Sequence, residues 1–170
     1  MPVLYLLRHA KSSWNDASIG DHDRPLNDRG RKAAPAIGNW LRDHDCRIDH
    51  ALVSTAVRAR ETWQLVSACL KRPPEASLEE GLYLCGAAVL LNRLRQVEPD
   101  ITSCLLVAHN PDMQQLALTL AGSGNEGDLD ALRGKYPTGG LAVLSFAGAW
   151  RNLDRGGAIL TDFIRPRSLV

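Results

Sequence analysis

The chain of 170 residues carries 20 Lys and Arg against 19 Asp and Glu, a net charge of +1, with 45% hydrophobic and 23% charged residues. That length suits one domain over residues 1–170 with a sizeable core, and the near-neutral charge excludes a broad nucleic-acid or membrane-surface footprint. No apolar run approaches a membrane span, and the N-terminus lacks the basic, apolar and cleavage regions of a secretory signal, so a cytoplasmic protein is expected. Cys46, Cys69, Cys85 and Cys104 are scattered with no Cys-x-x-Cys pair. Zinc and a disulfide framework are therefore disfavoured, and reduced, mostly buried thiols are expected.

Residues 3–7, Val-Leu-Tyr-Leu-Leu, form a continuous apolar run that predicts a strand covered on both faces. Residues 12–27, with Ser, Asp, Gly and Pro, read as a loop, after which Asn27 or Asp28 caps a helix. Ala33, Ala34, Ile37, Trp40 and Leu41 give that helix its apolar face, while Pro35 predicts a late start or a kink. Residues 50–54 predict a second strand. The next helix has Ala59, Thr62, Trp63, Val66, Cys69 and Leu70 on one side and stops at Arg72-Pro73-Pro74. Residues 78–84 are ambiguous and admit a short strand. Ala88, Leu91, Leu94 and Arg95 mark a third helix ending before Pro99. Residues 103–108 predict a third strand, followed by a helix with Asn110 as N-cap and Pro111 at its first position. Residues 122–127 read as a flexible loop, residues 128–133 as a short helix, and residues 141–146 and 158–164 as closing strands joined through Gly148 and Asn152. Strands alternating with helices predict a three-layer α/β/α sandwich with a mostly parallel central sheet. Ligands of such sheets bind beyond the carboxyl ends of the strands, where His9, Ser54 and His109 all fall.

Two histidines and two arginines at strand-to-helix junctions make a pocket suited to a dianion. Arg8 and Arg58 each offer a planar fork of donors, and the helix starts after Ser54 and Asn110 add backbone N–H groups. His9 is the candidate nucleophile. A neutral imidazole nitrogen attacks phosphorus, water resolves the covalent intermediate, and a backbone carbonyl accepting from the other ring nitrogen fixes the tautomer. Nearby arginines disfavour protonation of His9, and His109 serves as a donor to a phosphoryl oxygen. Arg58 and Arg60 are two apart and point to different sides of a helix, so at most one faces the pocket. Lys11 reads as a solvated rim charge, Trp40 and Trp63 as core, and His22, His44 and His50 as structural or solvent-facing.

These residues carry a resemblance. Arg8-His9-Ala10-Lys11-Ser12-Ser13-Trp14-Asn15, Ser54-x-x-x-Arg58-Ala59-x-x-Thr62 and Ala108-His109-Asn110-Pro111 are similar, in order and spacing, to the motifs of the histidine phosphatase (phosphoglycerate mutase-like) superfamily. Asp23-Arg24-Pro25-Leu26 before Gly30, Tyr136-Pro137-Thr138-Gly139, and the small size resemble its SixA-type phosphohistidine phosphatases. The resemblance implies a phosphoglycerate mutase-like fold and a phosphatase with His9 as phospho-accepting nucleophile and Arg8, Arg58 and His109 completing the phosphate pocket. Arg24 and Asn15 are additional candidate substrate ligands. Ala10 stands where the broader family has Gly, a change that would strain a backbone of positive φ. The general acid of larger relatives has no clear counterpart. Glu80 is the nearest candidate, with Asp23 and Asp112 as others.

A weak acid site favours P–N bonds, because an alkoxide leaving group needs a proton whereas phosphohistidine can leave as a neutral imidazole. General acid catalysis is worth about 10²–10⁴-fold. The expected activity is a metal-independent, cofactor-free phosphatase acting on a phosphohistidine-bearing protein. The alternatives are a small-molecule phosphomonoesterase acting on a small phosphorylated substrate and a non-catalytic phosphate-binding module.

Overall fold

Seven strands in the order β3-β2-β4-β1-β6-β7-β5 form one sheet in the computed structural model, which describes residues 1–169. The strands are β1 (Val3–Arg8), β2 (His50–Ser54), β3 (Ala76–Glu79), β4 (Ser103–Ala108), β5 (Ala121–Gly124), β6 (Leu141–Phe146) and β7 (Ala158–Ile164). β6 alone runs against the rest, pairing antiparallel with β1 and β7, while the other pairs are parallel. The helices are α1 (Asp28–Asp43), α2 (Val57–Ser67), α3 (Ala87–Leu94), α4 (Asp112–Leu120) and α5 (Glu126–Gly134).

The two-residue alternation of the strands divides the core into two faces. Tyr5 and Leu7 of β1, Val53 of β2 and Val107 of β4 pack with Ile37 and Leu41 of α1 and Trp63 and Val66 of α2. Leu4 and Leu6, Leu52 and Leu106 point the other way, onto Leu90 and Leu94 of α3, Met113 and Leu116 of α4, and Leu132 of α5. This is the expected three-layer α/β/α sandwich. All six residues of β4 are buried, as a central parallel strand covered on both faces requires.

Several local expectations are corrected. α1 begins at Asp28, capped by the Asn27 side chain accepting from Gly30 N–H, so Pro35 lies inside a helix that does not start late. α2 ends at Ser67, leaving Cys69 and Leu70 beyond it. Residues 121–124, which overlap the expected flexible loop at residues 122–124, form edge strand β5, paired parallel with β7. Glycine is required there because a Cβ at Gly122 would overlap the Gly156 carbonyl, a packing relation that local sequence does not announce. Asn110 caps α4 from one residue further out, accepting from Gln114 N–H at 3.1 Å, while Pro111 occupies the N-cap position. Of the four thiols only Cys104 is buried, and burial pushes its pKa up to about 12; the other three are half-buried. Trp63 is buried as expected, whereas Trp40 is half-buried and stacks on the exposed His44.

Candidate active site

Parallel pairing sets the site. Arg8 on β1 lies opposite Ala108 on β4, so His9 and His109 leave the carboxyl ends of adjacent strands together. Their ring centroids are 5.1 Å apart. Ser54 ends β2, the next strand over, and the chain turns through Ala56 into α2, whose second residue is Arg58. His9, Arg58 and His109 are 6%, 3% and 1% exposed. They line a cavity of about 300 Å³ together with Arg8, Lys11, Ser12, Trp14, Asp21, Arg24, Leu84, Asn110 and Thr138.

His9 is fixed by its backbone neighbours. Its Nδ1 lies 2.7 Å from the Ala10 carbonyl, which can only accept, so Nδ1 carries the hydrogen and Nε2 keeps its lone pair. Ala10 N–H donates to Thr62 Oγ1 at 2.9 Å, and Thr62 donates in turn to the Arg58 carbonyl at 2.6 Å, so the strand end and α2 are tied together. Ala10 is fully buried and is not among the non-glycine residues of positive φ, so the methyl group causes no backbone strain. Gly30 has the opposite constraint: a Cβ there would overlap the Lys11 carbonyl, which lets α1 pack directly on the segment after His9. Gly139, at φ +73°, turns its N–H to the carbonyls of both Arg8 and His9, at 3.1 and 2.9 Å.

Burial pushes the His9 pKa down to about 3, helped by the positive charge of Arg58 and Arg8 and by His109. Burial and Arg58 push His109 down to about 3 as well. Both imidazoles are therefore neutral near pH 7. Arg58 Nε donates to His9 Nε2 at 3.3 Å. His109 Nε2 lies 2.8 Å from Ser54 Oγ and is the only acceptor that the hydroxyl hydrogen meets among the described residues, so the hydroxyl donates to Nε2 and Nδ1 carries the ring hydrogen. Among the described residues two buried side-chain nitrogens lack a hydrogen-bond partner, His109 Nδ1 and Arg8 Nε, and both belong to residues that line this cavity. An unpaired buried donor costs about 1–3 kcal/mol, a cost that a bound anion would remove.

Arg24 also lines the cavity, but its donors are engaged within the protein, with Asp21 Oδ1 at 3.0–3.2 Å and with Ser12 Oγ and Ser13 O. The Trp14 ring covers its guanidinium at 3.4 Å. Asn15 is exposed and is not part of the lining; its backbone N–H is taken by Ser13 Oγ. Glu80 is also exposed and outside the lining; it opens the 3-10 turn Glu80–Leu82 that follows the carboxyl end of β3. Asp112 is buried, but its Oδ2 accepts from Gly86 N–H, and Asp23 is exposed. Arg58 and Arg60 divide as their spacing requires: Arg58 faces the cavity and Arg60 is exposed, donating to the Thr55 carbonyl. Lys11 is half-buried at the rim.

Sequence reasoning missed Asp21 and Tyr83. Asp21 opens the 3-10 turn Asp21–Asp23; it accepts from Arg58 Nη2 at 3.1 Å and from the Tyr83 hydroxyl, and its backbone carbonyl accepts from Arg58 Nη1 at 2.7 Å. Hydrogen bonds from Tyr83, Arg24 and Arg58 outweigh desolvation and hold its carboxyl far below the usual range. His22 packs edge-on against Tyr83, with Nε2 2.9 Å from Thr55 Oγ1. The spacing of Asp21 three residues before Arg24 was a usable signal for a turn-closing ion pair; nothing local marks Tyr83. Among the described residues no group of three or more His, Cys, Asp and Glu is clustered as a metal ion would require, and no helix is long and apolar enough to cross a membrane.

Residues 4–83 match the family described as the histidine phosphatase superfamily, branch 1, a span that includes Arg8, His9 and Arg58. An uncharacterized protein of Mycobacterium leprae is 38% identical over 165 residues, covering 95% of this chain and all of that one. The phosphohistidine phosphatase SixA of Escherichia coli is 30% identical over 110 residues, 64% of this chain and 67% of its own. A structure assigned as phosphohistidine phosphatase SixA from Nakamurella multipartitia superposes with a TM-score of 0.83 at 32% identity, over 97% of this chain and 96% of that one. The chain belongs to the histidine phosphatase superfamily. It is a phosphatase with a SixA-like fold, as its motifs led one to expect.

Proposed function

We propose that this phosphatase removes phosphoryl groups from phosphohistidine in proteins, with His9 as nucleophile and Arg8, Arg58 and His109 binding the phosphoryl oxygens. The observation that carries the P–N preference is the state of Asp21. Among the described residues it is the one carboxylate on the lining, it is ionised, and its oxygens are occupied by Arg58, Arg24 and Tyr83. It holds no proton for a leaving alkoxide. His109, neutral with a pKa near 3, is a hydrogen-bond donor there rather than an acid.

The reaction runs in two displacements. The lone pair on His9 Nε2 forms a bond to phosphorus as the substrate P–N bond breaks, and the bonding electrons return to the substrate ring. With its other nitrogen protonated, that ring leaves as neutral imidazole. Water then attacks phosphorus, the bond to His9 Nε2 breaks, and inorganic phosphate is released while His9 Nδ1–H stays on the Ala10 carbonyl. A cytoplasmic site of action belongs to the same proposal, supported by four unbridged thiols.

The test is phosphate release, with EDTA present, from a phosphohistidine protein and from a phosphoserine peptide, using wild type and His9→Ala. Release from the first alone, abolished in His9→Ala, is expected. Equal turnover of both substrates defeats the P–N preference, and complete loss of wild-type activity in EDTA defeats metal independence. Release from neither shifts the reading to a small phosphorylated metabolite or to a phosphate-binding module.

A further inference from the structure

A second cavity of about 640 Å³ opens beside the first and shares Arg8, Lys11 and Thr138 with it. Among the described residues its lining contains six cations, Arg8, Lys11, Arg29, Lys135, Arg165 and Arg167, and no Asp or Glu. They come from separate parts of the chain: the end of β1, the first turn of α1, the residue after α5, and the segment after β7. Nine of the 20 Lys and Arg residues are in ion pairs among the described residues. Six of the other eleven converge on this cavity. In a chain of net charge +1 that concentration is a local field with a single sign on the described lining, which selects for anions.

We infer that this trough is a subsite for an acidic segment of the substrate protein, lying next to the phosphorylated histidine whose phosphoryl group enters the smaller cavity. The inference rests on the phosphohistidine reading above and adds the flanking sequence that the enzyme selects. The exposure of the cations favours an extended chain over a compact ligand. Arg29, Lys135, Arg165 and Arg167 are exposed at the lip, and only Arg8 and Lys11 are half-buried. A small ligand is held by a few buried polar groups within apolar walls. Long solvated cations on a rim instead attract carboxylates along a solvated segment and mainly speed and orient docking. A cavity of this volume is about 9 Å across, the reach of about three extended residues, so the acidic positions lie within about three residues of the phosphohistidine.

The experiment compares two phosphohistidine peptides, one with Asp and Glu and one with Asn and Gln within three residues of the phosphohistidine. Each is assayed with wild type and with the double variant Arg29→Glu/Arg167→Glu, whose two side chains lie outside the smaller cavity. A small phosphoramidate serves as a substrate too short to reach the trough. Wild type is expected to favour the acidic peptide by about tenfold in kcat/KM, mostly through KM, with the preference shrinking as salt rises. The double variant is expected to lose that preference while its turnover of the phosphoramidate and its urea midpoint stay unchanged. Equal kcat/KM for the two peptides in wild type overturns the inference, as does a preference that survives in the variant. If neither peptide is turned over, the phosphohistidine reading fails separately. The trough is then judged by fluorescence anisotropy with the unphosphorylated acidic peptide, where equal binding by wild type and variant overturns it. Tighter competition by a small bisphosphate than by the acidic peptide also overturns the assigned occupant.

Discussion

Lowering the pH from 7 to 5 is expected to cost the folded protein about 4 kcal/mol through His9 and His109 alone. Both are buried and neutral, with pKa values pushed from an ordinary 6.5 down to about 3. A histidine with a depressed folded pKa binds fewer protons folded than unfolded between those two values, so stability falls as pH falls through the window. At pH 5 protonation favours the unfolded chain by ~2 kcal/mol per imidazole, against ~0.2 at pH 7, and two such groups give about 4. Asp21 and Asp49, held below the usual carboxylate range, add their own losses only at lower pH. The assay is urea unfolding at pH 7.0 and 5.0 for wild type, His9→Asn, His109→Asn and the double variant, comparing the pH difference within each protein. Each substitution should remove about half of the wild-type difference. A wild-type loss below about 1 kcal/mol, or an undiminished difference in the double variant, would show that the histidines are not held neutral by burial.

Arg58→Lys should lower kcat/KM by about 10²-fold or more, since a point charge replaces a fork that reaches both His9 and Asp21. The exposed Arg60→Lys should change it less than about twofold, and similar losses at both positions would deny Arg58 its special place. Thr62→Val leaves the buried Ala10 N–H without an acceptor and should destabilise the protein by about 1–3 kcal/mol in urea melts. Gly30→Ala forces a methyl against the Lys11 carbonyl; a loss of about 1–3 kcal/mol together with a fall in kcat is expected, and an unchanged protein would refute the close approach.

Much of the fold was legible because most strands are short, predominantly apolar runs. The expected boundaries of residues 103–108, 141–146 and 158–164 coincide with β4, β6 and β7. β5 was not legible: Ala-Gly-Ser-Gly has no β-branched or large apolar residue, and the strand exists because glycine backbone fits against Gly156 and Leu160. The late start that Pro35 suggested does not occur: α1 runs from Asp28 through Pro35, with Ile37 and Leu41 packed beneath the sheet. At the site, His9, Ser54 and His109 could be placed at strand ends because strand order controls where those ends meet. Arg58 could be chosen over Arg60 only as one of two, since the phase of α2 depends on Trp63 and Val66 packing inward. Asp21 and Tyr83 lie 62 residues apart and meet by tertiary packing, which no local pattern encodes.

Asp21 also balances the positive charge gathered at this pocket. Arg24 and Arg58 are buried, and two buried guanidinium ions without a counter-charge would each cost several kcal/mol. Asp21 neutralises part of that charge from the rim, where it keeps contact with water. The division of labour on Arg58 then matters for the proposed reaction. Its Nη1 and Nη2 are held by Asp21 at 2.7 and 3.1 Å, while Nε makes a longer bond of 3.3 Å to the His9 Nε2 lone pair. That last bond is the weakest of the three and the one that attack on phosphorus must break. As Nε2 bonds to phosphorus, Nε–H is left beside an incoming phosphoryl oxygen and can transfer its hydrogen bond there without the guanidinium moving off Asp21. In the proposed reaction the carboxylate would orient the arginine while Arg58 Nε hands its hydrogen bond from His9 to the incoming anion.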